Sequence, residues 1–272
     1  MPDFVYDVPF QTLAVWSSIL SIAVMLFGLL VIKPVFRILI GTGPDFNSTI
    51  AQATASFSLF NGLLLGLLTV AAYQNSEQVR TSITNEATAF GGLYAQISAY
   101  PEPTRSEIKW MMRDYVLYTI HKDWPAHRKG EILNGGFNRV DAIRGSLSKF
   151  EPTTEGERII HAEAMNSLQQ FSQERQKRLT GVVTEIPAVL WYAVLVGAAI
   201  NILLLVVLRM RLVAHFVIGT ITAFFLGVIL FVIVTLDRPL RGPSGLPPQG
   251  YELLWERLMI WDEPARQGTA DG

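Results

Sequence analysis

Four long apolar segments dominate the pattern of hydrophobic and polar positions along this chain. They cover residues 12–32, 50–73, 186–208 and 212–236, and none contains Lys, Arg, Asp or Glu. Each has about the 20 residues that a helix needs to cross the hydrocarbon core of a membrane. Backbone polar groups in lipid must be paired within the segment, so runs of this length are predicted to be helical. We therefore predict an all-α membrane protein with four transmembrane helices in two hairpins.

A polar stretch separates the two hairpins. It holds well over half of the charged residues, with both signs nearly balanced, which is typical of a solvated domain. Apolar positions recur there every three to four residues, which predicts about four helices, the first continuing from the second transmembrane helix. Capping boxes starting at Thr104 and Thr154 mark two of the helix N-termini. The predicted order is hairpin one (1–73), helical insert (74–185), hairpin two (186–242) and a tail with a short amphipathic helix (243–272).

Composition restricts the classes of function. The net charge of −1 gives no general attraction to nucleic acid, and the absence of cysteine excludes disulfides and thiolate metal sites. The N-terminus lacks a basic region, so the first apolar segment is predicted to be a retained helix. No Gly-rich phosphate loop, zinc motif or nucleophile elbow is present, so we predict no enzyme activity, cofactor or metal site. The three histidines of the insert are predicted to be surface or ordinarily paired side chains.

Small residues line one face of two of the predicted transmembrane helices. In the second helix, Gly62 and Gly66 have the Gly-x-x-x-Gly spacing, with Asn61 beside them. In the fourth helix, the stripe consists of Gly219, Ala223 and Gly227. Such faces permit close approach of two helices in a membrane. Both stripes are candidates for helix packing or pore lining, and Asn61 either bonds to another helix or faces a pore.

Five ionisable residues lie near or beyond the ends of the predicted transmembrane helices. His215 is about one turn inside the fourth transmembrane helix, where such a group either has a function or reaches water. Asp237, Arg238 and Arg241 follow that helix, either as a charged ring at a pore mouth or as a terminal ion pair within a Pro- and Gly-containing turn. Glu86 either contacts an arginine of the insert or is a vestibule carboxylate.

Basic residues in the two short loops indicate an orientation. Lys33 and Arg37 follow the first helix, and Arg209 and Arg211 join the third and fourth. The positive-inside rule places these loops in the cytoplasm, with both termini and the insert outside. Basic residues at 175, 177 and 178 favour the opposite orientation.

Several short motifs, in this order and spacing, resemble the bestrophin-like domain-of-unknown-function family of bacterial integral membrane proteins. The resemblance extends over about residues 12–242. Leu240 stands where Phe is expected. The motifs are Glu86-Ala87, Leu93-Tyr94, Tyr115, Trp124-Pro125, Arg175, Arg178-Leu179, Pro187, Leu190-Trp191 and Asp237-Arg238-Pro239-Leu240-Arg241-Gly242.

The resemblance implies distant kinship with bestrophins, which are pentameric anion channels gated by calcium. It also implies termini and insert in the cytoplasm, contrary to the basic loops. The sequence departs from bestrophins because it has no acidic calcium clasp, and Phe57 and Phe60 do not give a clear aromatic neck.

We predict a homo-oligomeric anion channel of a bacterial cytoplasmic (inner) membrane, with the second transmembrane helix lining the pore. Its partners would be the lipid bilayer, its own copies and small inorganic ions, and not nucleic acid. The alternative is a non-transporting membrane scaffold or sensor whose insert binds a partner or ligand. Measurement of ion flux in liposomes tests the first hypothesis. A search for a partner bound through the insert tests the second.

Overall fold

The fold is entirely helical over the described part of the chain, which is residues 3–39 and 45–262 of a computed structural model. Four helices are long and apolar enough to cross a membrane, which confirms the predicted class. The predicted loop after the first hairpin helix lies mostly outside the described residues. The α-helices are α1 (Phe10–Phe27), α2 (Lys33–Leu39), α3 (Phe46–Ile97), α4 (Thr104–Tyr118), α5 (Trp124–His127), α6 (Asn134–Lys149), α7 (Glu155–Val183), α8 (Ala188–Val207), α9 (Leu212–Asp237) and α10 (Gln249–Leu254).

The chain divides into two compact units, and the boundary falls inside the 52-residue helix α3. We call them the membrane unit and the helical unit. The membrane unit comprises Met1–Ser76, Glu185–Arg238 and Gly242–Ser244. The helical unit comprises Glu77–Thr184, Pro239–Arg241 and Gly245–Gly272. The described part of the predicted tail therefore belongs mainly to the helical unit, where Tyr251 is fully buried.

The membrane unit is held together by the pairing of α1 with α9. The rings of Phe10 and Phe231 meet edge to face with centroids 4.8 Å apart. Further apolar side chains, among them Met25, Trp191 and Val194, are buried in two clusters inside the unit. Other large apolar side chains of these helices stay exposed, as expected where lipid is the solvent.

The helical unit has an aromatic core. Phe90 of α3 lies between Tyr115 of α4 and Phe171 of α7, with ring centroids 5.0 and 4.7 Å from its own. Tilted and edge-to-face pairs of this kind add stability beyond the area they bury. The long helix α7 brings further apolar side chains to the same core.

The two predicted capping boxes differ in outcome. Thr154 accepts a hydrogen bond from the N–H of Glu157, whose carboxylate reaches back to the N–H of Thr154, so α7 begins as predicted. The box at Thr104 is wrong, because Pro103 is the N-cap of α4 and makes no side-chain cap. The Glu102 carboxylate instead accepts from the N–H of Ser106 at 3.2 Å.

Candidate functional site

One face of α3 in the membrane unit has no partner among the described residues. A Cβ atom built at Gly62 or Gly66 would meet no described atom within 4 Å. The apolar side chains around them are exposed; they include Leu59, Leu63, Leu67 and Val70. The face is thus smooth, apolar and open to whatever surrounds the isolated protomer.

Asn61 lies on a buried face of α3 and is 4% exposed. Its amide oxygen lies against Gly197 of α8, where any side chain would collide with it. One turn away, the Ser58 hydroxyl donates to Oδ1 of Asn201 on α8 at 2.9 Å. The amide of Asn61 makes no hydrogen bond to a described residue. Asn61 therefore packs against a neighbouring helix and points away from the open glycine face.

The stripe of small residues on α9 is covered by α1. A Cβ at Gly219 would collide with the side chain of Met25, and one at Gly227 would lie 2.9 Å from the carbonyl oxygen of Ser17. Ala223, between them, is 1% exposed. Close approach of α1 is what these small residues permit. Within this unit, the stripe serves helix packing.

His215 is buried inside the membrane unit, with 1% of its surface exposed. Its Nδ1 lies 2.5 Å from Nζ of Lys33, and its Nε2 lies 3.0 Å from the carbonyl oxygen of Leu205. A lysine ammonium only donates, so Nδ1 accepts and the proton on Nε2 is donated to the carbonyl. The histidine thereby fixes the position of the Lys33 side chain.

Asp237 ends α9 and joins three parts of the membrane unit. It is 1% exposed and accepts from the Tyr6 hydroxyl, the backbone N–H of Ile186 and Nε1 of Trp191, at 2.5, 2.6 and 3.2 Å. A carboxylate has only acceptor sites, so it suits three converging donors. Burial and the bond to Asp237 raise the pKa of Tyr6, which keeps its hydroxyl a donor.

The residues after Asp237 form a tight turn. Arg238 makes an ion pair with Glu185 and lies over the ring of Tyr6, 4.8 Å from its centroid. Gly242 has φ +74°, and a Cβ there would collide with the carbonyl oxygen of Tyr6. Only glycine meets both conditions easily. In the helical unit, the guanidinium of Arg241 lies beside Gly130.

Glu86 forms a buried ion pair with Arg178 in the helical unit, so it contacts an arginine of the insert. Nε and Nη2 of Arg178 donate to the two carboxylate oxygens at 2.5 and 2.9 Å, and both side chains are fully buried. The guanidinium also lies over the Trp124 ring, 5.1 Å from its centroid. Burial alone would lower the pKa of Arg178, but the Glu86 carboxylate raises it overall, so the arginine stays charged.

Sequence reasoning missed a polar group next to this ion pair. Asp123 is 1% exposed, and neither of its carboxylate oxygens has a hydrogen-bond partner among the described residues. Burial raises the pKa of Asp123, although the positive charges of Arg178 and Arg175 act to lower it. A Cβ at Gly136 would lie 2.6 Å from Oδ2 of Asp123 and 3.0 Å from Nη2 of Arg175. A larger residue at this position would therefore displace these two side chains.

A π-helical segment, Thr119–Asp123, brings these polar groups inward. Such segments are rare and occur often at functional sites. It leads into His127, which is also buried, contrary to a surface position. Nδ1 of His127 accepts from Arg178 at 3.2 Å, and Nε2 has no partner among the described residues. The signal in the sequence was Thr119, Asp123 and His127 at four-residue steps, beside Trp124.

His127 should make the stability of the protein fall in acid. Burial, then the charges of Arg178 and Arg175, lower its pKa to about 3. From about pH 6.5, the usual value, down to about 3, the unfolded chain takes up a proton that the folded chain refuses, so unfolding becomes easier. We expect His127→Gln to lose less thermal stability between pH 7 and pH 4.5 than the parent chain, measured by tryptophan fluorescence. The same substitution at the exposed His121 should leave the loss unchanged; a parallel profile for His127→Gln would contradict the prediction.

No group of three or more His, Asp or Glu side chains in the described ranges is arranged to hold a metal ion.

The chain is similar in sequence and in fold to known membrane proteins. A family model for the bestrophin-like domain matches residues 19–251. Similar solved structures are of a bacterial bestrophin homolog from Klebsiella pneumoniae. A tryptophan-to-alanine variant of it gives a TM-score of 0.67 at 11% identity, covering 92% of this chain and 98% of that one. The structure solved by Zn-SAD phasing gives 0.61 at 13% identity, covering 92% and 99%. A comparison of the chain with curated proteins found no match.

Proposed function

The chain belongs to the bestrophin-like family, and from this membership we propose that it is a homo-oligomeric anion channel of a bacterial inner membrane. Bestrophins, to which the sequence motifs point, are anion channels built from several copies of one chain. The likeness in fold to the Klebsiella pneumoniae homolog covers nearly the whole of both chains. Protomers would assemble around a central axis, with α3 lining the pore.

The open face of α3 carries the assignment of the pore. It is the face with Gly62 and Gly66, which has no neighbour among the described residues. The other small-residue stripe, on α9, is occupied by α1 and is not free to line a pore. A surface of small and apolar residues without charges also suits a narrow constriction, where hydrophobic walls gate conduction by excluding water.

Anion flux from liposomes tests the proposal. Purified protein should release chloride from loaded vesicles when a potential is applied. Because the chain has no cysteine, single cysteines placed at Gly62, Gly66 or Leu63 can be modified one at a time with a negatively charged thiol reagent. Cysteines that face the pore are expected to react from water and to lower the flux severalfold on modification.

The matched control is a cysteine at Leu20 of α1, which is 65% exposed on an apolar face and should face lipid. Modification there should not change the flux. Flux that depends on α1 and not on α3 would overturn the assignment of the pore helix. No flux for any ion at any potential would overturn the channel and leave the scaffold or sensor hypothesis, which requires a partner bound through the helical unit.

We also propose that both termini lie outside the cytoplasm, because the two short loops are basic. Labelling of a single cysteine at Trp261 or at Arg209 by an impermeant reagent on intact cells distinguishes the two orientations. Reaction at position 209 alone would reverse the proposal.

A further inference from the structure

A cationic pocket of about 400 Å³ lies in the membrane unit, apart from the open face of α3. Its size falls within the range of about 300–1,000 Å³ found for small-ligand sites. Three cationic side chains, Lys33, Arg209 and Arg211, line it, and its described lining contains no carboxylate. The remaining wall is largely apolar, with Phe36, Phe46, Val207, Met210 and Leu212.

Lys33 is held in place at this pocket by a half-buried contact. His215 accepts a hydrogen bond from its ammonium group and is itself fixed by the carbonyl oxygen of Leu205. A long lysine side chain normally loses considerable rotamer freedom when it binds a ligand. The contact with His215 already orders the Lys33 side chain, which favours binding of an anion at this position.

The pocket lies where apolar membrane helices end, because α8 ends at Val207 and α9 begins at Leu212. Phospholipids present a phosphate group above glycerol and acyl chains at that level. Arginine matches the geometry of phosphate oxygens with two parallel hydrogen bonds, and lysine adds a point charge. The apolar wall supplies contacts for the glycerol and the first part of an acyl chain, which a soluble phosphate ion would leave unused.

We propose that this pocket binds the headgroup phosphate of an anionic phospholipid, with Lys33, Arg209 and Arg211 as its cationic ligands. Basic pockets between transmembrane helices are sites where anionic headgroups bind. The site gives His215 a role as the residue that positions Lys33. It does not depend on whether the protein conducts ions.

Native mass spectrometry of the full, delipidated chain tests the proposal. Phosphatidylglycerol should bind, and phosphatidylcholine should bind at least tenfold more weakly. Each cation is worth about 1 kcal/mol near a membrane surface, so neutralising one should weaken binding about fivefold. The triple variant Lys33→Gln, Arg209→Gln, Arg211→Gln should lose about two orders of magnitude in affinity by the same reasoning.

The matched control neutralises three exposed arginines of the helical unit, Arg80→Gln, Arg144→Gln and Arg158→Gln, whose side chains are 62, 50 and 65% exposed. This control should bind phosphatidylglycerol like the parent chain. An equal loss in the control would show attraction by overall charge and overturn the site.

Two further experiments test the site independently of the triple variant. Arg209→Gln alone tests the site if the triple variant fails to fold, because the exposed side chain can be exchanged while the Arg209 backbone N–H keeps its bond to Asn47. Unchanged affinity in this variant would overturn the proposal. Inorganic phosphate at millimolar concentration should not displace the lipid; if it does, the site binds free phosphate and the lipid assignment is wrong.

Discussion

Replacing Arg178 with methionine is expected to lower the free energy of unfolding of the helical unit by about 3–5 kcal/mol. The substitution removes one partner of a fully buried ion pair and leaves the Glu86 carboxylate without its two strongest donors. Tyr115, whose hydroxyl lies 3.4 Å from the carboxylate, is too distant to compensate for them. The measurement is denaturant unfolding of the full chain in detergent, followed by tryptophan fluorescence, because Trp124 contacts Arg178 directly.

The size of this effect comes from the charge that is left behind. A buried carboxylate without a partner must either stay ionised in a medium that solvates it poorly or take up a proton. The double variant Glu86→Gln, Arg178→Met removes that charge, so it should recover most of the stability that the single variant loses. The difference between the two variants measures the cost of the isolated carboxylate.

An exposed ion pair serves as the control. Arg158 and Glu155 lie one turn apart on α7, with side chains 65 and 76% exposed, and Arg158→Met should hardly change the unfolding midpoint. If Arg178→Met is no more destabilising than Arg158→Met, or if the double variant is as unstable as the single one, the ion pair does not hold the unit as described.

The membrane helices could be predicted because the local sequence alone determines them. Residues 12–32 contain no charged side chain, and in lipid a chain of this kind has the helix as its only way to satisfy the backbone. The start of α7 is also a local matter, since Thr154 and Glu157 satisfy each other within one turn. The same pattern at Thr104 was misleading, because Glu102, two residues earlier, captures the N–H of Ser106.

The polar interior of the helical unit could not be predicted in the same way. Glu86 and Arg178 lie 92 positions apart, and which arginine of the insert faces Glu86 depends on how α3 and α7 pack. The burial of Asp123 and His127 depends on a π-helical segment, which shifts the faces of the helix from the regular period. The open face of α3 was visible as a glycine spacing, but the sequence could not show that Asn61 points elsewhere.

Asp237 was recognised as a hinge candidate from its neighbours Arg238 and Pro239, but its partners are distant in sequence. Tyr6 lies 231 positions away, and Trp191 lies 46 positions away. The carboxylate therefore ties the N-terminal segment and the start of hairpin two to the end of α9. Asp237 is itself buried and accepts from three donors, so its carboxylate holds the unit together and is not a free charge at a pore mouth.

Replacing Asp237 with alanine is accordingly expected to destabilise the membrane unit strongly. It leaves the buried Tyr6 hydroxyl and Trp191 Nε1 and the half-buried Ile186 N–H without this acceptor, at about 1–3 kcal/mol for each buried donor. The two buried donors alone give an expected loss of about 2–6 kcal/mol in the free energy of unfolding, measured by thermal unfolding in nanodiscs. Asp237→Asn keeps the volume and one acceptor oxygen, so its loss should be smaller.

Tyr6→Phe separates the contributions, because it removes one donor and leaves the carboxylate with two others. It should cost much less than Asp237→Ala, and the cost of the pair of substitutions should fall well short of the sum, since the two residues share one hydrogen bond. Full additivity, or an Asp237→Ala variant as stable as Tyr6→Phe, would contradict this account. A strong loss of stability also means that any loss of ion flux in Asp237 variants must be judged against the amount of folded protein, because the residue acts on the fold before it acts on conduction.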